Sequence, residues 1–179
     1  MVNKEFFFSE IKKQGLFTKL SQAQVDSLSS IIDTWDTSGH TDLRWLAYEF
    51  ATIYHETAAK MLPVKEYGGE KYLKSKPYYP YYGRDFCQTT WKYNYEKVRD
   101  FTGVDVVTNP DLIGDVEMSA KVALHFMVNG LYTGKKLASY FNKSVEDPVN
   151  ARRIINGKDK AKKIAGYYYL FLNCLKNKE

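Results

Sequence analysis

A chain of 179 residues with 44% hydrophobic and 26% charged side chains has the length and composition of one globular domain with a real core. Its longest apolar run near the start, Phe6-Phe7-Phe8, is too short for a signal-peptide core, and nothing approaches the ~18 uninterrupted apolar residues of a membrane span. Cytoplasmic synthesis is therefore expected, with no stable membrane insertion. The net charge of +5 is uneven: from Gly134 onward eleven Lys/Arg face four Asp/Glu, a net +7 that leaves about −2 for the rest. A basic face suits an anionic partner. No nucleic-acid-binding module accompanies it, so nucleic acid is not expected. Two cysteines, Cys87 and Cys174, make no disulfide framework and point to a reducing compartment.

The spacing predicts a short helix over residues 3–14, with Phe7 and Ile11 on one side and Gly15 as its stop. Ser21 and Gln24 form a capping-box signature, followed by Val25, Leu28, Ile32 and Trp35 at helical spacing. Thr41 or Asp42 caps the next helix, whose apolar side is Leu43, Leu46, Phe50, Ile53 and Tyr54, and which delivers His55, Glu56 and Thr57 before Pro63. Residues 63–87 hold three of the five prolines and three glycines, and read as irregular structure with room for a short hairpin. Eight of the 15 tyrosines fall between residues 67 and 95, a clustering that favours a ligand surface over packing alone. Helical patterns resume over 90–101, then from a cap at Asp115 to Gly130, over 135–141, over 148–155, and from a cap at Asp159 to the end. The whole is a mainly α-helical single domain, residues 1–179, with residues 1–40 as an N-terminal helical segment.

Several chemistries drop out. His55-Glu56-Thr57-Ala58-Ala59 begins like a zincin motif but lacks the second histidine that one helix face needs to hold zinc. The chain has three histidines and no G-x-S-x-G, Walker A or EF-hand pattern, so neither metal nor cofactor is expected. Carboxylate chemistry remains. Cleaving a glycosidic bond takes one carboxylic acid to protonate the leaving oxygen and a second carboxylate to activate water or attack directly. Glu56, on a helix flanked by Ile53, Tyr54, Ala58 and Met61, offers the apolar setting that keeps an acid protonated. Glu66, in a loop bounded by proline and glycine, suits the solvated base. Glu49, Glu70, Glu96 and Glu117 read as surface residues.

Six short segments then fall into a pattern: His55-Glu56-Thr57, Lys65-Glu66-Tyr67-Gly68, Tyr81-Tyr82-Gly83-Arg84, the run from Gln88 to Tyr95, Asn109-Pro110-Asp111-Leu112 and Ile154-Ile155-Asn156-Gly157. Their order resembles glycoside hydrolase family 19, which holds plant-type chitinases and a phage branch of peptidoglycan-degrading endolysins. The likeness covers roughly residues 41–170, and the lean length with no secretion signal is more similar to the phage branch. The resemblance implies a lysozyme-like fold with the active-site cleft between two helical lobes. It implies Glu56 as general acid and Glu66 as general base of an inverting mechanism. Thr90 would help hold the attacking water, and Gln88, Asn94 and Asn156 would bond the sugar N-acetyl groups and backbone. Thr57, Tyr82 and Arg84 would line or shape the same substrate-binding surface. Two positions depart from the pattern: Asp85 stands where a glycine usually follows Tyr-Gly-Arg, and Asp159 and Lys160 stand where an arginine contact is common. Glu70 is a rival for the second carboxylate.

The expected function is an endolysin-type hydrolase of β-1,4 bonds in bacterial peptidoglycan. It is expected to act as a monomer, made in the host cytoplasm and reaching the wall after release through the inner membrane. The basic C-terminal quarter would meet the anionic envelope. The alternatives are a chitinase on poly-N-acetylglucosamine and a non-catalytic wall-binding module.

Overall fold

Local side-chain bonds fix where most helices begin. Asn3 accepts from the Phe6 N–H, Ser21 and Gln24 close a reciprocal capping box, Asp42 accepts from the Arg44 N–H, and Asp115 accepts from the Met118 N–H. The structure, a computed structural model, describes residues 1–176. Its helices are α1 (Lys4–Lys13), α2 (Gln22–Thr37), α3 (Leu43–Glu56), α4 (Glu70–Lys74), α5 (Lys92–Thr102), α6 (Val116–Asn129) and α7 (Ala161–Leu175). Short 3-10 turns occupy Pro110–Gly114, Leu137–Ser139 and Asn150–Ile154. Gly103 and Gly130, at φ +73 and +70, end α5 and α6 in the left-handed conformation.

Four expectations are corrected. Among the described residues no strand forms in the 63–87 region, which instead carries the one-turn helix α4, started at Gly69 without a side-chain cap. The helices expected over 135–141 and 148–155 are single 3-10 turns. The second is anchored by Asp147, which accepts from the Asn150 N–H at 3.0 Å and leaves no length for a repeating apolar face. The last helix starts at Ala161 behind Lys160, which sits at φ +56 with no capping side chain, so Asp159 is not its cap. Glu49 is not on the surface, because α3 is surrounded: every residue from Leu46 to Ile53 is buried.

α3 is the central element. It packs most extensively on α7, with α1 laid on α7 and α2 on α6. Phe7, Phe50 and Phe171 stack in series at 5.1 and 5.2 Å, tying α1, α3 and α7 together. A second apolar cluster gathers Tyr95, Val98, Val106, Ile113, Val122 and Phe126. α6 contributes to both, since Ala120, Ala123, Leu124 and Met127 belong to the larger cluster. The two clusters give the molecule its two helical lobes. Cys87 and Cys174 are both free thiols in the larger one.

Among the described residues, both carboxyl oxygens of Glu49 and the hydroxyls of Tyr48 and Thr52 have no hydrogen-bond partner. Burial pushes the Glu49 carboxyl well above the usual carboxylate range. The unfolded chain releases this proton near the ordinary value, while the folded chain retains it to higher pH. Stability is therefore lost as pH rises between those two values. Glu49→Met should stabilise the protein by about 1–3 kcal/mol at pH 8, and by less at pH 4. Thermal melts across that range check this; a gain independent of pH contradicts it.

Candidate active site

Glu56 is the last residue of α3, where the unpaired carbonyls give the helix end a negative partial charge that opposes a carboxylate. A buried arginine from a distant turn offsets this. Arg152 Nη1 donates to Glu56 Oε1 at 2.5 Å, and its Nε donates to the Asp159 carbonyl at 3.0 Å. The apolar setting expected from the chain neighbours of Glu56 is thus corrected: its carboxyl faces a guanidinium. Helix geometry explains the difference, because Ile53 and Met61 turn into the core while the Glu56 side chain leaves at the helix end.

Thr57, expected to line the substrate surface, points inward. It is 2% exposed, its hydroxyl donates to the Ile53 carbonyl at 2.7 Å, and it accepts from the Met61 N–H at 2.9 Å. The Met61 carbonyl in turn accepts from Ser27 at 2.5 Å. These bonds hold a loop in which Ala58, Ala59 and Met61 all have positive φ, of 49, 64 and 52°. Two more positive-φ residues, Gln88 and Trp91, lie on the facing segment. Strain of this kind persists only where surrounding bonds over-determine it, and it gathers at functional sites.

The loop leads to Glu66, which is half-buried and tied at both ends of the residue. Its N–H donates to the Gly83 carbonyl at 2.8 Å, and its carboxylate accepts from the Tyr78 hydroxyl at 2.6 Å and the Gly83 N–H at 3.3 Å. That bond to Glu66 is the main cause that pushes the Tyr78 phenol up to about 12. The rival Glu70 stands exposed on α4, paired with Lys74 at 2.5 Å, whose ammonium holds its carboxyl below the usual range. Of the two, Glu66 alone is bound to the segment that carries Gln88 and Thr90.

That segment is organised from beneath. A Cβ on Gly83 would come within 2.5 Å of Gln88 Oε1, so only glycine lets the Gln88 amide lie there. Gln88 Nε2 donates to the Val64 carbonyl and, at 3.1 Å, to that of Asp85. The amide proposed for sugar contact is therefore also a brace between the two carboxylate-bearing segments. Asp85 proves to be internal, not a third acid of the site. It is fully buried and accepts from the Thr89 N–H at 2.7 Å and the Thr89 hydroxyl at 2.6 Å, pinning the turn that presents Gln88 and Thr90. Burial raises its carboxyl above the ordinary value.

Arg84 and Asn94 lie nearly buried beneath this surface, held by bonds within the protein. Arg84 donates to Asp111 at 2.7 Å, to the carbonyls of Pro80 and Tyr82, and to the Tyr95 hydroxyl, with its guanidinium 3.5 Å from the centre of the Tyr82 ring. These bonds hold Nε and Nη1 within the protein, while Nη2 bonds to no described residue. Asn94 is 8% exposed and donates to the Thr90 carbonyl at 2.9 Å, which sets the backbone of Thr90. The Thr90 hydroxyl itself is half-buried and bonds to no described residue. Tyr82 is nearly buried beneath the same surface. Asn156 is exposed; its N–H donates to the Arg152 carbonyl at 3.0 Å, and its side-chain oxygen accepts from the Gly157 N–H at 2.8 Å. Arg152 is the residue that sequence reasoning missed. The arginine was sought in the last helix, but it comes from the preceding 3-10 turn, four residues before Asn156.

Two carboxylates on separately fixed mounts, on a helical scaffold with a lysozyme-like fold, define a family 19-type glycosidase framework. A family model described as chitinase class I, of glycoside hydrolase family 19, matches residues 33–144, and the chain belongs to that family. Chitinase 5 of Oryza sativa subsp. japonica is 33% identical over 107 residues, which cover 54% of this chain and 37% of that one. Chitinase 11 of the same organism is 46% identical over 48 residues, covering 26% and 19%. The chain thus spans well under half the length of these curated relatives. The crystal structure of chitinase C from Streptomyces griseus HUT6037 superposes with a TM-score of 0.67 at 20% identity, covering 95% of this chain and 77% of that one, which establishes the fold.

Asp85→Ala should cost about 1–3 kcal/mol, the range for leaving buried hydrogen-bonding groups unpaired. Urea unfolding measures it. A variant as stable as the parent would show that Asp85 does not hold the turn.

Proposed function

We propose that the protein is a glycosidase acting through Glu56 and Glu66, and that its substrate is bacterial peptidoglycan, cut at β-1,4 bonds in the manner of a phage-type endolysin. The observation that carries the catalytic part is the pair of independently anchored carboxylates, Glu56 on Arg152 and Glu66 on Tyr78 and Gly83, joined by a strained and tightly bonded loop. In an inverting step Glu56, which must first take up a proton while Arg152 holds it in place, gives that proton to the leaving glycosidic oxygen. Glu66 takes a proton from a water whose oxygen attacks the anomeric carbon from the opposite face. Each carboxyl ends in the other's starting protonation state, and exchange with solvent restores both. Thr90 offers its unbonded hydroxyl to that water, while Gln88 offers its side-chain oxygen and Asn156 its amide N–H groups to N-acetyl substituents.

The preference for peptidoglycan rests on charge. A protein of net +5 whose final quarter is strongly basic is drawn to an anionic envelope. Synthesis in the host cytoplasm, followed by release to the wall, belongs to the same reading. A chitinase is the second reading, favoured by the names of the rice and Streptomyces proteins.

Mass spectrometry of products from purified peptidoglycan and from chitin oligomers separates them: muropeptide release supports the first, and chitin cleavage alone overturns it. Glu56→Gln and Glu66→Gln should each lower kcat about 10²–10⁴-fold, with folding verified by thermal melts because Glu56→Gln also removes the negative charge that Arg152 faces. Either variant cleaving at the wild-type rate removes that residue from the mechanism. NMR of fresh product should show the α-anomer; a β-anomer rules out inversion.

A further inference from the structure

Exposed aromatic side chains gather on one part of the surface: Tyr67, Tyr72, Tyr79, Trp91 and Tyr93. Tyrosines in and just beneath this surface carry lysine ammonium groups over their rings. Lys60 stands 5.8 Å from the centre of Tyr67, Lys65 5.4 Å from Tyr82, Lys76 4.0 Å from Tyr72 and Lys97 5.3 Å from Tyr93. Bare rings suffice to stack on the C–H faces of a neutral sugar. An ammonium beside the ring adds nothing for such a sugar, but it adds a charge-assisted partner for a carboxylate.

One hollow in this surface combines both features beside Glu66. It is lined by Lys65, Gly68, Glu70, Leu73, Tyr79 and Tyr82. Tyr79 and Tyr82 stack at 6.2 Å, and with Leu73 they supply an apolar wall. Gly68 is at φ +133, and a Cβ there would strike the Tyr72 ring at 2.2 Å, so the turn that shapes the hollow depends on glycine. The one acid in the lining, Glu70, is offset by its 2.5 Å pair with Lys74. Lys65 is exposed and makes no salt bridge with any described residue. The hollow therefore presents one cation with no salt bridge to a described residue, over the Tyr82 ring and within reach of the Glu70 charge, with an aromatic floor and a small apolar wall, one residue from the candidate base.

We propose that this hollow is a subsite for the acidic stem peptide of a peptidoglycan strand, with Lys65 holding a stem carboxylate and Leu73 and Tyr79 contacting its small aliphatic side chains. The proposal rests on the peptidoglycan reading above and makes Lys65 a specificity-determining residue. A neutral chitin chain has no group for Lys65 to hold.

The test is an NMR titration of ¹⁵N-labelled protein with three probes too short to be cut. These are a disaccharide muropeptide with its free stem carboxylates, the same muropeptide with those carboxylates amidated, and di-N-acetylchitobiose. Wild-type protein should bind the acidic muropeptide about fivefold more tightly than the amidated one, the upper range for a solvent-accessible charge pair, with amide shifts centred on residues 65–73. The preference should shrink at high salt. Lys65→Gln should bring the ratio to about one, and Lys65→Arg should keep most of it. Equal affinity in the wild type, or an undiminished preference in Lys65→Gln, overturns the subsite. A protein that degrades peptidoglycan yet shows no preference loses the subsite alone. One that prefers the acidic muropeptide yet frees no reducing ends from peptidoglycan loses the glycosidase reading alone.

Discussion

The bond between Arg152 and Glu56 joins residues 96 positions apart, and much of the molecule's arrangement serves it. A carboxylate at the carbonyl end of a helix is electrostatically misplaced, and a guanidinium with 4% of its side chain exposed is costly to bury. Neither is tolerable without the other. Removing one partner of such a pair leaves an uncompensated charge, typically at about 3–5 kcal/mol. The pair can form only if α3 is held in its central position and if the Asn150–Ile154 turn is delivered against its end. The packing of α7 on α3 achieves the first. The bonds from Asp147 to Asn150 and from Arg152 to the Asp159 carbonyl achieve the second.

On the other side, order is built from backbone bonds more than from charge. Glu66 and Gly83 exchange hydrogen bonds in both directions, Gln88 reaches across to Val64, and the Trp91 N–H donates to the Tyr81 carbonyl at 2.9 Å. Beneath them, Asp85, Arg84 and Asn94 each bond to the same segment, through Thr89, the Pro80 and Tyr82 carbonyls, and the Thr90 carbonyl. Gln88 and Trp91 at positive φ are held by this web, and Ala58, Ala59 and Met61 by the bonds around Thr57. Their strain is distributed over the two stretches that face the candidate chemistry, 58–61 and 88–91, and is absent from the helices that carry the core. A rigid scaffold with strained, over-bonded connections is what positions two carboxylates without either belonging to the other's element.

The tyrosines divide by the same logic. Tyr95 is fully buried, with its hydroxyl bonded to the Tyr82 carbonyl at 2.5 Å, while Tyr67, Tyr79 and Tyr93 stand at the surface. Composition shows an excess of tyrosine but not this division. The two roles depend on which ring reaches a buried acceptor and which is left at the rim beside a lysine.

Much of the scaffold was legible in the chain itself, because helix caps and apolar spacing are local. Ser21 with Gln24, Asp115 and Gly130 each act within four residues of their own position and sit where their pattern placed them, and Asp42 is the one of the two candidate caps that α3 uses. The positions of Glu56 and Glu66, and the family motifs around them, were legible for the same reason. Burial and pairing were not, because they depend on contacts made across the whole chain. Glu49 looks like any surface glutamate until α7 and α6 pack against α3. Asp85 looks like a misplaced charge until Thr89 folds back onto it. Arg152 has no sequence signal linking it to Glu56, since only the folded turn brings its guanidinium to the helix end. The sequence by itself determined the long helices with their caps, and which acids are candidates for the chemistry. The tertiary structure alone decided which side chains face a ligand and which hold the site from below, because a side chain's surroundings are set by the packing of distant elements and not by its neighbours along the chain.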